Sequence, residues 1–479
     1  MREWSAERVA HSAGASLLAP QSTRANLSGP TGVSIDSRVL RPGDLFVGLR
    51  GERTDGGSHA AQALASGAWG VLVASEHGGA GAAAAASMGG AVLVHRDPLA
   101  GMQALAHAWR LELRSRGAKV VAITGSTGKT STKDILAALL AARLRSAASP
   151  ENLNTEIGLP LALLAAPGDV EVVVLEMAMR GSGQIAELTA IAEPDVGVIV
   201  NVGPAHLEML GSLEAIAAAK AELIAGMSSG TSVVIPAGEP LLEPHLRSDL
   251  EVISFGEQGE VSLLEVGPDG AVVIAHGEER LALLPSFAEA HNRRNLLAAV
   301  AAARALGHTP AGRLEVRFSA MRGQRVQLGD GTVLIDDCYN ANPMSMRAAI
   351  EELAATAPAR RVAVLGDMLE LGPAAPALHR EIGRYAAEVG VDLLVSVGPL
   401  AVEIARTFAG ETHTVPDAAG AADLLPRLLQ PGDTVLVKAS RGVGLERVSA
   451  SLGAADRAPT PGPLGEPRAL APSAGPERR

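Results

Sequence analysis

The sequence predicts an α/β protein of three units, two of them doubly wound around mostly parallel sheets. Three observations carry this. The chain has 479 residues, more than one hydrophobic core usually organises, so roughly two to four domains are expected. Continuous Val/Ile runs such as KVVAIT (119–124), VEVVVLE (170–176) and VGVIVN (196–201) alternate with helical stretches. That is the pattern of parallel strands covered on both faces. Polar motifs also sit just past the carboxyl ends of these runs, where open α/β sheets bind ligands.

The elements follow in order. Residues 1–117 read as a small α/β unit, with strands at 33–35, 44–49 and 69–74 and a long helix from Asp97 to Arg116. An Ala/Gly-rich patch at 78–91 reads as a loop or loose helix. Residues 118–312 form the central unit. It holds the three runs above, a helix at 130–144, a long helix at 288–306 and a linker, GHTPAG, at 307–312. Residues 313–452 form a second doubly wound, Rossmann-like unit with strands at 333–337, 360–367, 392–398 and 433–440. The Pro/Ala/Gly-rich tail, 453–479, is expected to be disordered.

Composition narrows the class. Hydrophobic residues make up 47% and charged residues 19%, as in globular proteins. No apolar run is long enough to span a bilayer, and MREWSAERVA lacks the apolar core of a secretory signal. The single cysteine, Cys338, excludes an intramolecular disulfide. A cytoplasmic protein is expected. The net charge of -11 counts against nucleic-acid binding, but it admits small anions wherever a site is locally basic.

Two scarcities single out residues. Lysine and arginine total 41, of which only Lys119, Lys129, Lys133, Lys220 and Lys438 are lysine. Where arginine serves as the generic surface cation, a retained lysine hints at a need for a compact or titratable amine. Asparagine is scarce too, and most of it falls in short motifs: Asn152 and Asn154, Asn201, Asn292 and Asn295, Asn340 and Asn342. Turns and caps are the plainer explanation.

Thr124-Gly125-Ser126-Thr127-Gly128-Lys129-Thr130 joins a strand to a helix. Such a loop turns its amides toward phosphates, with a lysine charge, a hydroxyl for Mg²⁺ and the helix dipole behind them. The usual P-loop has a glycine six residues before the lysine; Ile123 stands there, so this loop is a shorter variant. Glu176 ends a neighbouring strand, where a carboxylate suits a hard cation or simply a strand end. His206 follows a Gly-Pro turn and could bind or orient a metal. Lys220 lies in a helix, where a snorkelling surface role is the plainer one. Asn292 and Asn295 are one helical turn apart and could read an adenine edge or hold a loop. In the third unit, Asp336, Asp337, Tyr339 and Asn340 close a strand with acids, an aromatic ring and an amide. Lys438, Ser440 and Arg441 cluster at another strand exit, suited to a carboxylate or phosphate.

Together these stretches resemble the Mur ligases over about residues 30–450. The resemblance rests on TGSTGKTSTK, ENLNTEIGLPLALL, LEMAMRGSGQIAELTAIAEPDVGVIVNVGPAHLEMLGS, AHNRRNLLAAVAAA, IDDCYNANPMSM, VLGDMLELG and VLVKASRG, with DSRVLRPGDLFVGLRGERTDG near the start. Two stretches differ from the family pattern: Glu151 precedes Asn152 where a Gly-Asn pair is common, and Asp55-Gly56-Gly57-Ser58-His59 replaces a DG-His-Asp-Phe run.

The resemblance implies a small α/β UDP-sugar-binding domain, a central ATP-binding domain and a C-terminal ligase domain. It implies an ATP-dependent ligase that joins D-alanyl-D-alanine to a UDP-N-acetylmuramoyl tripeptide, working as a monomer with Mg²⁺. Gly125, Ser126, Thr127, Gly128, Lys129 and Thr130 are then expected on the nucleotide phosphates. Thr130, Glu176, His206 and a carbamylated Lys220 are expected on metal. Asn292 and Asn295 are expected near adenine, and Arg325, Asp336 or Asp337, Tyr339 and Asn340 on nucleotide from the third domain. Asp36, Ser37 and Arg38 would serve the UDP-sugar. Asn152, Asn154, Thr155, Lys438, Ser440 and Arg441 would serve substrate. IDDCYNANPMSM and the UDP-sugar-like first domain count against two relatives, the ligase that adds the third amino acid and the folyl-polyglutamate ligases, and the absence of a DNPR-type motif counts against the sister that adds diaminopimelate. A nucleotide-dependent switch would have no need of Glu176, His206 and Lys220 together.

Overall fold

The computed structural model describes residues 1, 3–18, 28–52, 54–150 and 152–453; the tail from 454 and Glu151 lie outside the described residues. Three sheets organise the chain. The first has five strands, in the order Ser16–Leu17, Ala91–Val94, Gly70–Val73, Leu45–Val47 and Val33–Ser34. Only its first pair is antiparallel. The Ala/Gly patch forms a regular helix, Ser75–Met88, followed by the strand Ala91–Val94, which the sequence reading missed. Packing explains the helix despite its glycines. A Cβ at Gly78 would stand 2.8 Å from a Val94 methyl, and one at Gly81 3.2 Å from a Val92 methyl. The small residues let the helix lie directly on the sheet, so tertiary contact overrides weak helix propensity.

The second sheet has ten strands. Six run parallel along one side of it, from the edge strand inward in the order Ser146–Ala148, Val172–Glu176, Lys119–Thr124, Val196–Ile199, Ser232–Pro236 and Glu251–Phe255. An antiparallel meander, Val261–Val266, Val272–His276 and Glu279–Pro285, extends it. The sequence reading expected only alternating strands and helices here; Pro268-Asp269-Gly270 at one turn was the available signal. The last strand, Gly312–Leu314, pairs with Leu283–Pro285, so this sheet reaches just past the GHTPAG linker. The central strands are buried on both faces by separate apolar clusters, one containing Val120, Ala122 and Leu175 and the other Val121, Ile123 and Val174. The side-chain alternation of a strand makes this two-sided burial possible.

The third sheet has six strands, in the order Gln324–Gln327, Val333–Asp336, Thr434–Lys438, Arg361–Gly366, Leu393–Val397 and Glu411–Val415. All pairs but the first are parallel. Among the described residues, no helix is long and apolar enough to cross a membrane.

Candidate active site

The carboxyl ends of the second and third sheets face one cleft of about 1430 Å³. Ligand crevices of open α/β sheets form at such ends. The strand Lys119–Thr124 stops where Gly125 enters the positive-φ region (φ 155°), and the helix Lys129–Ala141 begins after Gly128 at φ 76°. The backbone conformation at Gly128 is one that L side chains rarely adopt, and its space is filled too: a Cβ there would lie 2.4 Å from Asn295 Oδ1.

Asn201 shapes this loop. Its Oδ1 accepts from the amides of Ser126 (3.0 Å) and Thr127 (2.9 Å), and its Nδ2 donates to the Thr127 hydroxyl at 2.9 Å. Ser126 Oγ donates to the Gly203 carbonyl and accepts from the Gly203 amide. Lys129 Nζ donates to the Gly125 carbonyl at 2.8 Å. Burial holds the Lys129 ammonium below its ordinary range; Glu176 opposes that shift and Arg322 adds to it.

Glu176 is buried at 2% exposure and bridges two partners. It accepts from Thr130 Oγ1 at 2.7 Å and from Asn154 Nδ2 at 2.8 Å. Asn152 and Thr155 line the same cleft. His206 lines it too, and Glu370, from the third unit, accepts or shares a proton at its Nδ1 over 2.5 Å. Burial lowers the affinity of His206 for a proton, and Glu370 counteracts this. Lys220 is 1% exposed on the helix Leu213–Gly226. Burial, and then repulsion from Lys129, pushes its pKa well below the lysine range. Among the described residues no carboxylate pairs with it, so burial and Lys129 both disfavour its charged form.

From the third unit, Asp337, Tyr339 and Asn340 line the cleft, whereas Asp336 turns away to accept from Cys338 Sγ at 2.9 Å. Burial raises the Cys338 thiol pKa far out of its usual range. Arg325 does not reach the cleft. Its guanidinium donates to Glu352 (3.3 Å) and Thr356 (3.0 Å). Burial pushes Glu352 up to about 8, with Glu289 adding to the rise and Arg325 opposing it. The cation that does reach the cleft from this segment is Arg322, which the sequence reading passed over. It lies 4.1 Å from the Tyr339 ring centre, within cation–π range, so one face of that ring is already covered.

Lys438 is only 1% exposed and braces its own loop, donating to Asp337 Oδ2 (2.6 Å) and the Asn340 carbonyl (2.9 Å). Ser440 likewise links strand exits, donating to the Ala341 carbonyl and accepting from the Leu369 amide. Arg441 stays exposed at the rim. Asn295 and Asn292 are buried side by side, Asn295 donating to Asn292 at 3.3 Å, against the glycine loop. Asp36, Ser37 and Arg38 lie apart from this cleft, in a loop of the first unit where Asp36 accepts a forked pair from Arg38. That pairing holds the Asp36 carboxyl down at about 2.

The second and third units also touch directly. Asn342 Nδ2 donates to the Ser126 carbonyl (3.4 Å), Ser319 donates to Asp134 (2.9 Å), and the Glu208 amide donates to the Glu370 carbonyl (3.1 Å).

A buried carboxylate, a hydroxyl hydrogen-bonded to it, an imidazole and a buried lysine thus lie near the glycine loop. The carboxylate and hydroxyl oxygens suit a hard divalent cation.

The chain is similar to known proteins along most of its length. The chain matches the Mur ligase family catalytic domain over residues 30–107, the Mur ligase middle domain over 123–303, and the Mur ligase glutamate ligase domain over 321–441. The UDP-N-acetylmuramoyl-tripeptide–D-alanyl-D-alanine ligase of Bacillus subtilis (strain 168) is 34% identical over 436 residues, covering 87% of this chain and 92% of that protein. Its namesake from Mycobacterium tuberculosis (strain H37Rv) is 38% identical over 471 residues, covering 88% and 92%. A crystal structure of MurF from Acinetobacter baumannii superposes with a TM-score of 0.81 at 28% identity, covering 94% of this chain and 98% of that one. The Thermotoga maritima MurF ligase in complex with ADP gives 0.74 at 29%, covering 88% and 96%.

Proposed function

The chain belongs to the Mur ligase family, and from that premise we propose that it joins D-alanyl-D-alanine to a UDP-N-acetylmuramoyl tripeptide with ATP, in peptidoglycan precursor synthesis. The observation that carries this reading is the meeting of the glycine loop, Thr130–Glu176 and the Asp337–Asn342 segment in one cleft. The relatives that carry this name match nearly the whole chain.

The chemistry follows from these positions. ATP's terminal phosphoryl group passes to the tripeptide's free carboxylate, giving an acyl phosphate and ADP. The amine of the dipeptide attacks the acyl carbon, the tetrahedral intermediate expels phosphate, and an amide remains. The chain's contribution is positioning and charge neutralisation. The amides of Gly128, Lys129 and Thr130, at the start of the helix, would cradle the phosphates, while those of Ser126 and Thr127 are held by Asn201, and Lys129 would shift from the Gly125 carbonyl to the phosphates. Thr130, Glu176, His206 and Lys220 would hold Mg²⁺, which when bound neutralises phosphate charge and polarises the transferring group. The Lys220 amine, once deprotonated, would attack CO₂ through its lone pair: the N–C bond forms as one C=O π bond breaks, its electron pair passes to oxygen and nitrogen gives up a proton; the resulting carbamate would supply oxygen donors. Met344 and Leu369, from the third unit, add apolar walls to the cleft, which keeps water from the acyl phosphate.

We assign the UDP-sugar to the first unit with Asp36, Ser37 and Arg38, the nucleotide to residues 118–312, and the dipeptide side to residues 313–452. One chain supplies every group named, so a monomer suffices. The lone buried cysteine is in keeping with a reducing cytoplasm.

Phosphate release from ATP is expected only with the UDP-muramoyl tripeptide and D-alanyl-D-alanine together, alongside a product heavier by the dipeptide. Turnover with a UDP-muramoyl dipeptide and a free amino acid instead would move the assignment to the ligase that adds the third residue. The loop architecture makes a separate prediction. Asn201→Ala removes the acceptor of two loop amides, a loss of about 1–2 kcal/mol in preorganisation. ADP affinity by calorimetry should fall about tenfold with the melting temperature nearly unchanged; full affinity would show that the loop holds its shape without Asn201.

A further inference from the structure

Two of the four described non-glycine residues with positive φ face each other across the junction of the second and third units. They are His206 (φ 59°) and Glu370 (φ 62°). Such conformations persist only where surroundings hold them, and they cluster at functional sites. His206 follows the strand Val196–Ile199 and precedes the short helix Leu207–Leu210; Glu370 follows the strand Arg361–Gly366. Their side chains meet at 2.5 Å, His206 Nδ1 to Glu370 Oε2. A second bond fixes the approach, from the Glu208 amide to the Glu370 carbonyl at 3.1 Å. A third feature requires closeness. Gly372 (φ 57°) lies so near that a Cβ there would stand 3.0 Å from Glu208 Cα.

The pair is half open to solvent, with side-chain exposures of 21% for His206 and 43% for Glu370. A hydrogen-bonded pair so exposed adds little stability. Its geometric consequence is larger. With Nδ1 bound to a carboxylate, the imidazole is held in one tautomer and one orientation, leaving Nε2 as its free ligand nitrogen. Carboxylates bonded to the far nitrogen of a metal-binding histidine do this in metal sites generally. Here the carboxylate comes from a different domain than the histidine.

We propose that Glu370 is a positioning residue that the third domain carries in to orient His206, so that the metal site is complete only when that domain is docked on the central one. Domain docking and metal affinity are thereby linked: each strengthens the other through the His206–Glu370 contact. The inference rests on the ligase reading for the identity of the metal site.

The test uses the full chain with ADP, and Mn²⁺ as the probe, followed by electron paramagnetic resonance. Glu370→Ala should raise the Mn²⁺ concentration for half-saturation about tenfold or more. Glu370→Gln keeps an oxygen that can accept from Nδ1–H, and should stay within about threefold of the parent protein. Gly372→Val keeps the carboxylate but wedges the loop away from Glu208, and should resemble Glu370→Ala. ADP binding without metal should be the same in all three. The proposal is overturned if Glu370→Ala saturates with Mn²⁺ as the parent does, or if it loses metal-free ADP binding to the same degree. The ligase reading fails separately: a parent protein that binds Mn²⁺ and ADP but releases no phosphate with both substrates would refute that reading and leave the Glu370 result standing.

Discussion

Lys220→Ala is expected to lower phosphate release by about a thousandfold, and millimolar acetate or formate is expected to restore part of it. The reasoning starts from burial. A lysine 1% exposed, with no carboxylate pairing with it among the described residues and with Lys129 as its neighbour, holds a proton at a cost. In the proposed ligase its deprotonated amine would take up CO₂. That carbamate would turn a repulsive position beside Lys129 into an attractive one and provide oxygen ligands. Losing that anion removes a ligand and leaves positive charge unbalanced, together about 4 kcal/mol, at about 1.4 kcal/mol per tenfold in rate. The space left by the alanine accepts a small carboxylate, hence the rescue. Lys220→Arg should be equally inactive and not rescued, because a guanidinium cannot form a stable carbamate and fills the space. Activity above a tenth of the parent rate in Lys220→Ala would show that the amine itself, or nothing at this position, is needed.

Lys129→Met should lower kcat/KM for ATP by about a hundredfold to a thousandfold, the scale for removing one preorganised charge from a transition state. Among the described residues the Lys129 side chain makes one hydrogen bond, to the Gly125 carbonyl, so the melting temperature should barely move. Lys129→Arg should recover little. The loop around it is closed by Asn201 and Asn295, and a planar fork does not replace a compact ammonium there. A fall confined to KM would assign Lys129 to ground-state binding rather than to phosphoryl transfer.

Much of the site was legible because it lies in short motifs at strand ends. Gly125–Thr130 follow, and Glu176 ends, a strand whose apolar run announces where it stops, and the scarcity of lysine drew attention to Lys220. What failed to show was the direction of side chains at neighbouring positions. Asp336 and Asp337 are adjacent, yet only Asp337 faces the cleft, because successive residues of a strand point to opposite faces. Arg325 and Arg322 are three apart, and the structure turns Arg325 toward Glu352 while Arg322 reaches Tyr339. Lys438 looked like a free cation but is tied to Asp337.

The sequence by itself determined the three-unit α/β class, the parallel strands of the two larger sheets and the glycine turn that joins strand to helix at Gly125–Lys129. These depend on local apolar runs, on glycines at turns and on residues adjacent in the chain, so they are written in short stretches. Only the tertiary structure decided the antiparallel extension of the second sheet, the helix over the Ala/Gly patch and the contacts of Asn201, Asn295 and Glu370. Glu370 meets His206 from 164 positions away. No local pattern encodes such a pairing, because it arises when two separately folded domains bring their loops together.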